Sequence, residues 1–386
     1  MWIPRRLESV LKTSVASRPV VVLTGPRQTG KTSLVGRLFP DHDYVSLDLP
    51  SEAAEAENDP LSFLSRHKGD LIIDEVQYAP ALFRHLKSFV DRARDRNGQF
   101  ILTGSQSFQL MSGVSESLAG RADILQLDSL SYAELQSAGQ DLSVETFVLK
   151  GGFPELHERS ALDFVRFYRS YVATYLERDL RMQLQVSNLR DFERFLRACA
   201  LRTSQLLNRA ELARDVGISP TTAGQWLSTL ERSGIITLLE PWFSNATKSL
   251  VKTPKLHFND SGLCAFLMGM QTFDDLNNSP HAGALWETAV FTEIRKHLSD
   301  IGSWQLAYWR DRTKEADFLL HRAGYFRIGD AKWTENPASS SKLSLVGKEF
   351  NGDPPVAIFA RTANPYPLPN GTQILPLSEV PTFLQS

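Results

Sequence analysis

An α/β architecture is what these 386 residues predict: a parallel-sheet domain built on a phosphate-binding loop, then a winged helix-turn-helix, then a second α/β domain. Three observations predict it. Short apolar runs recur through the first 150 residues with helical patterns between them. Residues 25–32 form a Gly-rich loop directly after the first of those runs. Residues 209–258 read as two helices joined by a Gly turn, then two strand-like runs.

The bulk numbers narrow the setting. Hydrophobic residues make up 42% and charged residues 22%, as in ordinary globular chains, and the length suits two or three domains. A net charge of −2 excludes a global basic field, so any nucleic-acid contact must be local. Cys199 and Cys264 are far apart in apolar surroundings and are expected to be reduced core residues rather than a disulfide or a metal site. The start, Met1-Trp2-Ile3-Pro4-Arg5-Arg6-Leu7-Glu8, has no apolar segment after its arginines, and no run approaches the roughly 20 apolar residues that span a bilayer. The expectation is a cytoplasmic protein with no membrane partner.

In the first domain, taken as residues 1–150, strands are expected at Val20–Leu23, Tyr44–Leu49, Leu71–Ile73, Phe100–Thr103 and Ile124–Leu127. A helix is expected over Ala81–Arg94, with Leu82, Leu86, Phe89, Val90 and Ala93 on one face. The loop Gly25-Pro26-Arg27-Gln28-Thr29-Gly30-Lys31-Thr32 matches G-x-x-x-x-G-K-[ST] between a strand and a helix. Backbone N–H groups at such a helix N-terminus favour anions and would cradle phosphates. Lys31 would reach the β- and γ-phosphates, and Thr32 would hold Mg²⁺.

The third strand ends in Asp74-Glu75. An apolar strand finishing in two carboxylates downstream of a phosphate loop is the Walker B pattern. Asp74 would meet Mg²⁺, and Glu75 would polarise the attacking water as general base. Ser105, at the end of the fourth strand, is a candidate γ-phosphate sensor. Arg121, before the fifth strand, is a candidate arginine finger acting in cis or across a subunit interface.

The runs Leu23 to Thr32, Asp74-Glu75-Val76-Gln77, Leu102-Thr103-Gly104-Ser105 and Gly120-Arg121 together resemble a prokaryotic family of AAA-type P-loop ATPases. Proteins of that family carry a C-terminal domain of unassigned function resembling restriction-endonuclease folds. The resemblance covers essentially the whole chain. It implies ATP with Mg²⁺, since no Asn-Lys-x-Asp guanine-reading motif is present, and it leaves a homo-oligomer open.

The middle segment, residues 151–258, opens on the turn Gly151-Gly152-Phe153-Pro154 and a helical region whose apolar stripe runs from Phe164 to Leu176. Glu211–Val216 and Pro220–Leu230 then read as a helix-turn-helix, with Gly217 in the turn, Ser219 as N-cap and Pro220 at the first helical position. Ile235–Leu239 and Leu256–Phe258 would be strands flanking a wing at Asn245 to Lys255. If the second helix enters a major groove, Thr221, Thr222 and Gln225 would face bases, and Lys248, Lys252 and Lys255 would contact phosphates. Residues 161–260 hold 14 Lys and Arg against 10 Asp and Glu, a balance too mild to choose between DNA contact and protein packing.

The last domain, residues 259–386, carries Glu287 on an amphipathic helix, Asp317 on one strand, and Asp330 with Lys332 on the next. Residues two apart on a strand share a face. This is the arrangement of PD-(D/E)xK nucleases. Asp317 and Asp330 would bind Mg²⁺, Glu287 would assist, and Lys332 would orient the attacking water. The expected fold class is thus α/β: a P-loop parallel-sheet ATPase domain, a winged helix-turn-helix and an α/β restriction-endonuclease-like domain. The expected function is ATP hydrolysis coupled to action on DNA. The alternatives are a nucleotide-dependent switch whose C-terminal domain docks without cleaving, and a winged-helix transcription regulator.

Overall fold

The computed structural model describes residues 2–67, 69–93, 95–105, 117–159, 161–174, 189–243, 253–301, 303–337 and 342–385. Two compact units emerge. One comprises Trp2–Ser129 with Arg232–Gly234, and the other Leu130–Glu231 with Ile235–Ser386.

In the first unit, the strands β1 (Val20–Thr24), β2 (Asp43–Ser46), β3 (Leu71–Asp74), β4 (Phe100–Thr103) and β5 (Ala122–Gln126) form one sheet ordered β2-β3-β4-β1-β5. Every pairing is parallel. Each of the five expected strands is present among the described residues. β2 is shorter than the apolar run suggested, because Leu47 leaves the strand while staying buried.

Parallel strands alternate their side chains between two covered faces. Val20, Val22, Leu71, Ile73, Phe100 and Leu102 pack on one side with Phe63, Leu82, Phe83, Leu86 and Val90 from the helices Pro60–Arg66 and Leu82–Arg92. Val21, Leu23, Ile72 and Ile101 pack on the other with Leu7, Leu11, Leu34 and Val35 from the helices Leu7–Ser17 and Lys31–Leu38. A strand whose side chains are buried on both faces reads as a continuous apolar run, which is why Val20–Leu23 announces itself so clearly.

In the second unit, the helix Arg209–Val216 ends at Gly217, whose φ of 84° is the left-handed C-cap that glycine permits. Ser219 Oγ then accepts from the Thr222 N–H at 3.0 Å as the helix Pro220–Arg232 begins. Ala223, Trp226, Leu227 and Leu230 are its buried face. Strands β6 (Gln205–Leu206), β7 (Ile236–Leu239) and β8 (Lys255–Phe258) form an antiparallel sheet ordered β6-β8-β7. Most of the wing expected at Asn245–Lys255, with Lys248 and Lys252, lies outside the described residues, while Lys255 opens β8.

The remaining strands are β9 (Gln305–Arg310), β10 (Glu315–Arg322), β11 (Tyr325–Lys332), β12 (Val356–Ala360), β13 (Tyr366–Pro367) and β14 (Gln373–Leu375). They form a mixed sheet ordered β13-β14-β12-β11-β10-β9. β9, β10 and β11 run antiparallel, while β11, β12 and β14 run parallel. The helix Ala282–Ile301 packs on β11, burying Leu285, Trp286, Ala289 and Val290.

The boundary expected at residue 150 lies instead at Ser129/Leu130. The reason is polar anchoring. The Leu130 N–H donates to the Gly152 carbonyl at 2.7 Å, Lys296 Nζ donates to the Leu130 carbonyl at 2.9 Å, and the Tyr132 N–H donates to Glu293 Oε1 at 2.7 Å. These bonds hold the segment from Leu130 within the second unit. Nor does a boundary appear at residue 258. The Thr203 and Thr288 hydroxyls meet at 2.6 Å, and Lys255 pairs with carboxylates on either side, so residues 151–258 and 259–386 fold as one body.

Asp260 shows how that body is pinned. Its Oδ2 accepts from the Gly152 N–H at 2.9 Å, and its Oδ1 accepts from the Leu263 N–H at 3.0 Å and from the Tyr168 hydroxyl at 2.9 Å. A Cβ on Gly151 would lie 2.2 Å from the same Oδ1, so only glycine fits there.

Candidate functional site

Among the described residues, two constellations of chemistry-bearing side chains stand out, one in each unit. The first begins at the end of β1. Gly25, at φ 144°, brings its Cα so close to β5 that a Cβ would stand 2.1 Å from the Leu127 carbonyl oxygen. Gln28 at φ 62° and Gly30 at φ 89° complete a loop of left-handed conformations, which turns successive N–H groups toward a common concavity. Thr29 Oγ1 donates to the Pro26 carbonyl at 2.9 Å, tying the loop across. Arg5, nearly buried, donates to the Thr29 carbonyl at 2.8 Å and to the Asp128 carbonyl at 2.6 Å, bracing it from behind.

Lys31 starts the helix Lys31–Leu38. Its Nζ donates to the Gly25 and Pro26 carbonyls at 3.0 and 2.9 Å. Burial pushes its pKa down to about 8, against the opposing pull of the Glu75 and Asp74 charges. This is a lysine held dry over the phosphate loop, where an anion gains most from it.

Asp74 ends β3, and β4 lies between it and β1. Thr32 Oγ1 donates to Asp74 Oδ2 at 2.9 Å, the Tyr44 hydroxyl donates to the same oxygen at 2.9 Å, and Thr103 Oγ1 donates to Oδ1. Burial and the Asp74 charge raise the Tyr44 pKa to about 12. Glu75 follows at φ 55°, a conformation seldom adopted by residues with a Cβ and one associated with functional positions. Gln77 Nε2 donates to Glu75 Oε2. The donor set fits Mg²⁺: a hydroxyl and a carboxylate in contact, both hard oxygen donors. The loop likewise fits a polyphosphate, with backbone N–H groups, a buried ammonium and a helix N-terminus together.

Sequence reasoning found Gly25 to Thr32, Asp74 and Glu75, and the structure brings them together. It missed Arg5, Tyr44 and Thr103. Of these, Thr103 was within reach, because a polar residue closing a strand beside β3 must adjoin Asp74. Ser105 is half-buried two residues beyond β4. Arg121 is engaged elsewhere: its Nε and Nη2 fork onto Asp91 at 2.7 and 3.0 Å, and its Nη1 donates to the Ala119 carbonyl. The two cysteines are buried free thiols, with burial raising both pKa values.

The second constellation lies in the second unit, in a cavity of about 1080 Å³ lined by Lys255, Glu287, Glu315, Asp317, Asp330 and Lys332. Glu287, Asp317, Asp330 and Lys332 do converge there. Lys332 Nζ lies 2.6 Å from Asp330 Oδ2 and 3.9 Å from Asp317 Oδ2. Burial and the neighbouring Asp317 charge push Asp330 up. Asp317 is held down, because the hydrogen bond from Asp330, the two lysines and the Ala331 N–H outweigh its own burial.

Lys255 overturns its expected role as a phosphate contact. It is 3% exposed. Its Nζ lies 2.8 Å from Glu315 Oε1 and 3.0 Å from both Glu287 Oε1 and Asp317 Oδ1. Those three carboxylates outweigh burial and raise its pKa, so it is a permanent cation. Asp317 and Asp330 were expected to bind Mg²⁺ with Glu287 assisting, yet an ammonium already stands between Glu287 and Asp317. The residues present do not fit a divalent ion at this position, and among the described residues no group of three or more His, Cys, Asp or Glu side chains is arranged to hold one. His257, fully buried and stacked on Phe291 at 4.3 Å, is kept neutral by burial and by Lys255, its pKa lowered to about 3.

Of the expected base contacts, Thr221 and Gln225 are exposed and Thr222 is half-buried. No helix among the described residues is long and apolar enough to cross a membrane.

A family described as AAA domain matches residues 17–136, and two described as domains of unknown function, DUF8612 and DUF4143, match residues 141–274 and 282–380. The uncharacterized protein Rv2008c of Mycobacterium tuberculosis is 32% identical over 377 residues, covering 96% of this chain and 80% of that protein. The uncharacterized protein MJ1544 of Methanocaldococcus jannaschii is 24% identical over 335 residues, covering 78% and 72%. Among solved structures, the Walker-type ATPase PABY2304 of Pyrococcus abyssi aligns over 69% of this chain and 96% of its own, at 17% identity and a TM-score of 0.47.

Proposed function

Since the chain belongs to the family of AAA-domain proteins that includes Rv2008c of Mycobacterium tuberculosis, we propose that it binds ATP with Mg²⁺ and hydrolyses it. The single observation that carries this reading is the meeting of Lys31 and Thr32 with Asp74 and Glu75 at the C-terminal ends of parallel strands.

The residues divide the work. The N–H groups of residues 27–32 bind the phosphates, and Lys31 neutralises charge at the β- and γ-positions. Thr32 and Asp74 hold the metal, which when bound supplies positive charge at the phosphate oxygens. Tyr44 and Thr103 fix the orientation of the Asp74 carboxylate by donating to it. Glu75 takes a proton from the attacking water, with Gln77 orienting its carboxylate.

The output we infer is a nucleotide-dependent switch that contacts DNA. The exposed Thr221 and Gln225 on the helix Pro220–Arg232, opposite its buried face, support a winged-helix contact in the major groove. The convergence of Glu287, Asp317, Asp330 and Lys332 supports a restriction-endonuclease-like ancestry for the C-terminal domain. The Lys255 ammonium among those carboxylates favours docking over cleavage. A cytoplasmic homo-oligomer completes the proposal.

The test is ATP turnover by wild type, Lys31→Ala and Glu75→Gln, each with and without duplex DNA. Expected are loss of turnover in both variants, retained nucleotide binding in Glu75→Gln, and a DNA effect on wild type that Thr221→Ala/Gln225→Ala abolishes. Turnover that survives Lys31→Ala would sink the ATPase reading. Turnover indifferent to DNA, with no DNA binding, would remove the DNA contact and leave the switch.

A further inference from the structure

We propose that Lys255 is the resident cation of the C-terminal carboxylate pocket, and that the protein thereby keeps divalent metal out of it. This goes beyond ATP hydrolysis and does not rest on it.

The geometry is that of a filled site. β8 delivers Lys255 to three carboxylates: Glu287 from the helix Ala282–Ile301, and Glu315 and Asp317 from β10. An ammonium has three N–H donors, and here three carboxylate oxygens stand at 2.8–3.0 Å from Nζ. A divalent ion using the Glu287 and Asp317 oxygens would need the same space at shorter distances. It would also meet a buried positive charge within a few ångströms, where repulsion is poorly screened.

The other half of the pocket is closed in the same way. Asp330 is paired with Lys332 at 2.6 Å, and the same ammonium lies 3.9 Å from Asp317 Oδ2. Each carboxylate that a metal would need is therefore already committed to a lysine of the protein itself. Position 255 lies 62 residues from Asp317 in sequence, so the lysine is supplied by the helix-turn-helix half of the second unit and the carboxylates by the mixed-sheet half. The pocket is a joint between those halves, and its cation fastens it.

The test is Mn²⁺ binding to the full chain without nucleotide, followed by the loss of the free-ion electron paramagnetic resonance signal. Wild type, Lys255→Met and Lys255→Met/Asp317→Asn are compared, so that binding at the phosphate loop is common to all three. Expected is one additional Mn²⁺ per chain in Lys255→Met, lost again in the double variant, with Mn²⁺ raising the melting temperature of Lys255→Met by several degrees more than that of wild type. A folded Lys255→Met that takes up no additional Mn²⁺ overturns the proposal. Should Lys255→Met fail to fold, wild type against Glu287→Gln decides. Equal Mn²⁺ uptake upholds the proposal, and lower uptake in Glu287→Gln overturns it.

Discussion

Thr32 Oγ1 and Asp74 Oδ2 stand 2.9 Å apart across 42 residues of chain, joining the first turn after the phosphate loop to the end of β3. Tyr44 and Thr103 converge on the same carboxylate, so Asp74 is both the candidate metal ligand and the acceptor that ties β2, β3, β4 and the phosphate loop's helix together.

Asp74→Asn is expected to lower the pKa of Tyr44 from about 12. The variant removes the negative charge and the charged acceptor, while the share of the shift due to burial stays. Ultraviolet titration of the phenolate, taken as the difference from Tyr44→Phe, reads this directly. An unchanged Tyr44 titration would mean that the contact is absent in solution.

Lys31→Met is expected to stabilise the first unit at neutral pH while abolishing nucleotide binding. The folded pKa of Lys31, about 8, lies below its unfolded value of 10.5, so the folded state loses its proton first. Burying the charged form costs on the order of 3 kcal/mol below pH 8. That cost vanishes as pH rises from 8 through 10.5, because both states are then neutral. The advantage of Lys31→Met in urea denaturation should shrink over that interval. An advantage independent of pH would contradict the desolvated lysine.

Gly25→Ala and Gly36→Ala should move stability in opposite directions. At Gly25 the new Cβ meets the Leu127 carbonyl oxygen at 2.1 Å, at a φ of 144°. A loss of about 2–3 kcal/mol is expected, together with weakened nucleotide affinity. At Gly36, inside the helix Lys31–Leu38, the new Cβ meets nothing within 4 Å. A gain of roughly 0.5–1 kcal/mol is expected there. Thermal melts of the two variants beside wild type check both signs, and a destabilised Gly36→Ala would show the helix packed against a partner.

The glycine-rich loop, the two carboxylates that close the third strand and the positions of the five strands were legible in the sequence because each is a local pattern. Val20–Leu23 must be a doubly covered strand, the loop must turn where Gly25 and Gly30 allow positive φ, and Asp74-Glu75 must close an apolar strand. Gly217, Ser219 and Pro220 marked the turn between the helices Arg209–Val216 and Pro220–Arg232 for the same reason. The sequence by itself thus determined the nucleotide-type site and the elements around it.

Only the tertiary structure decided where the units divide, how Arg121 is spent on Asp91, and what fills the C-terminal pocket. Lys255 reads as a surface lysine in a basic stretch, and nothing within ten residues of it reveals three carboxylates as its partners. A lysine is solvated or buried according to what surrounds its ammonium in space. Those surroundings come from residues 287, 315 and 317, brought together by long-range packing that no local periodicity encodes.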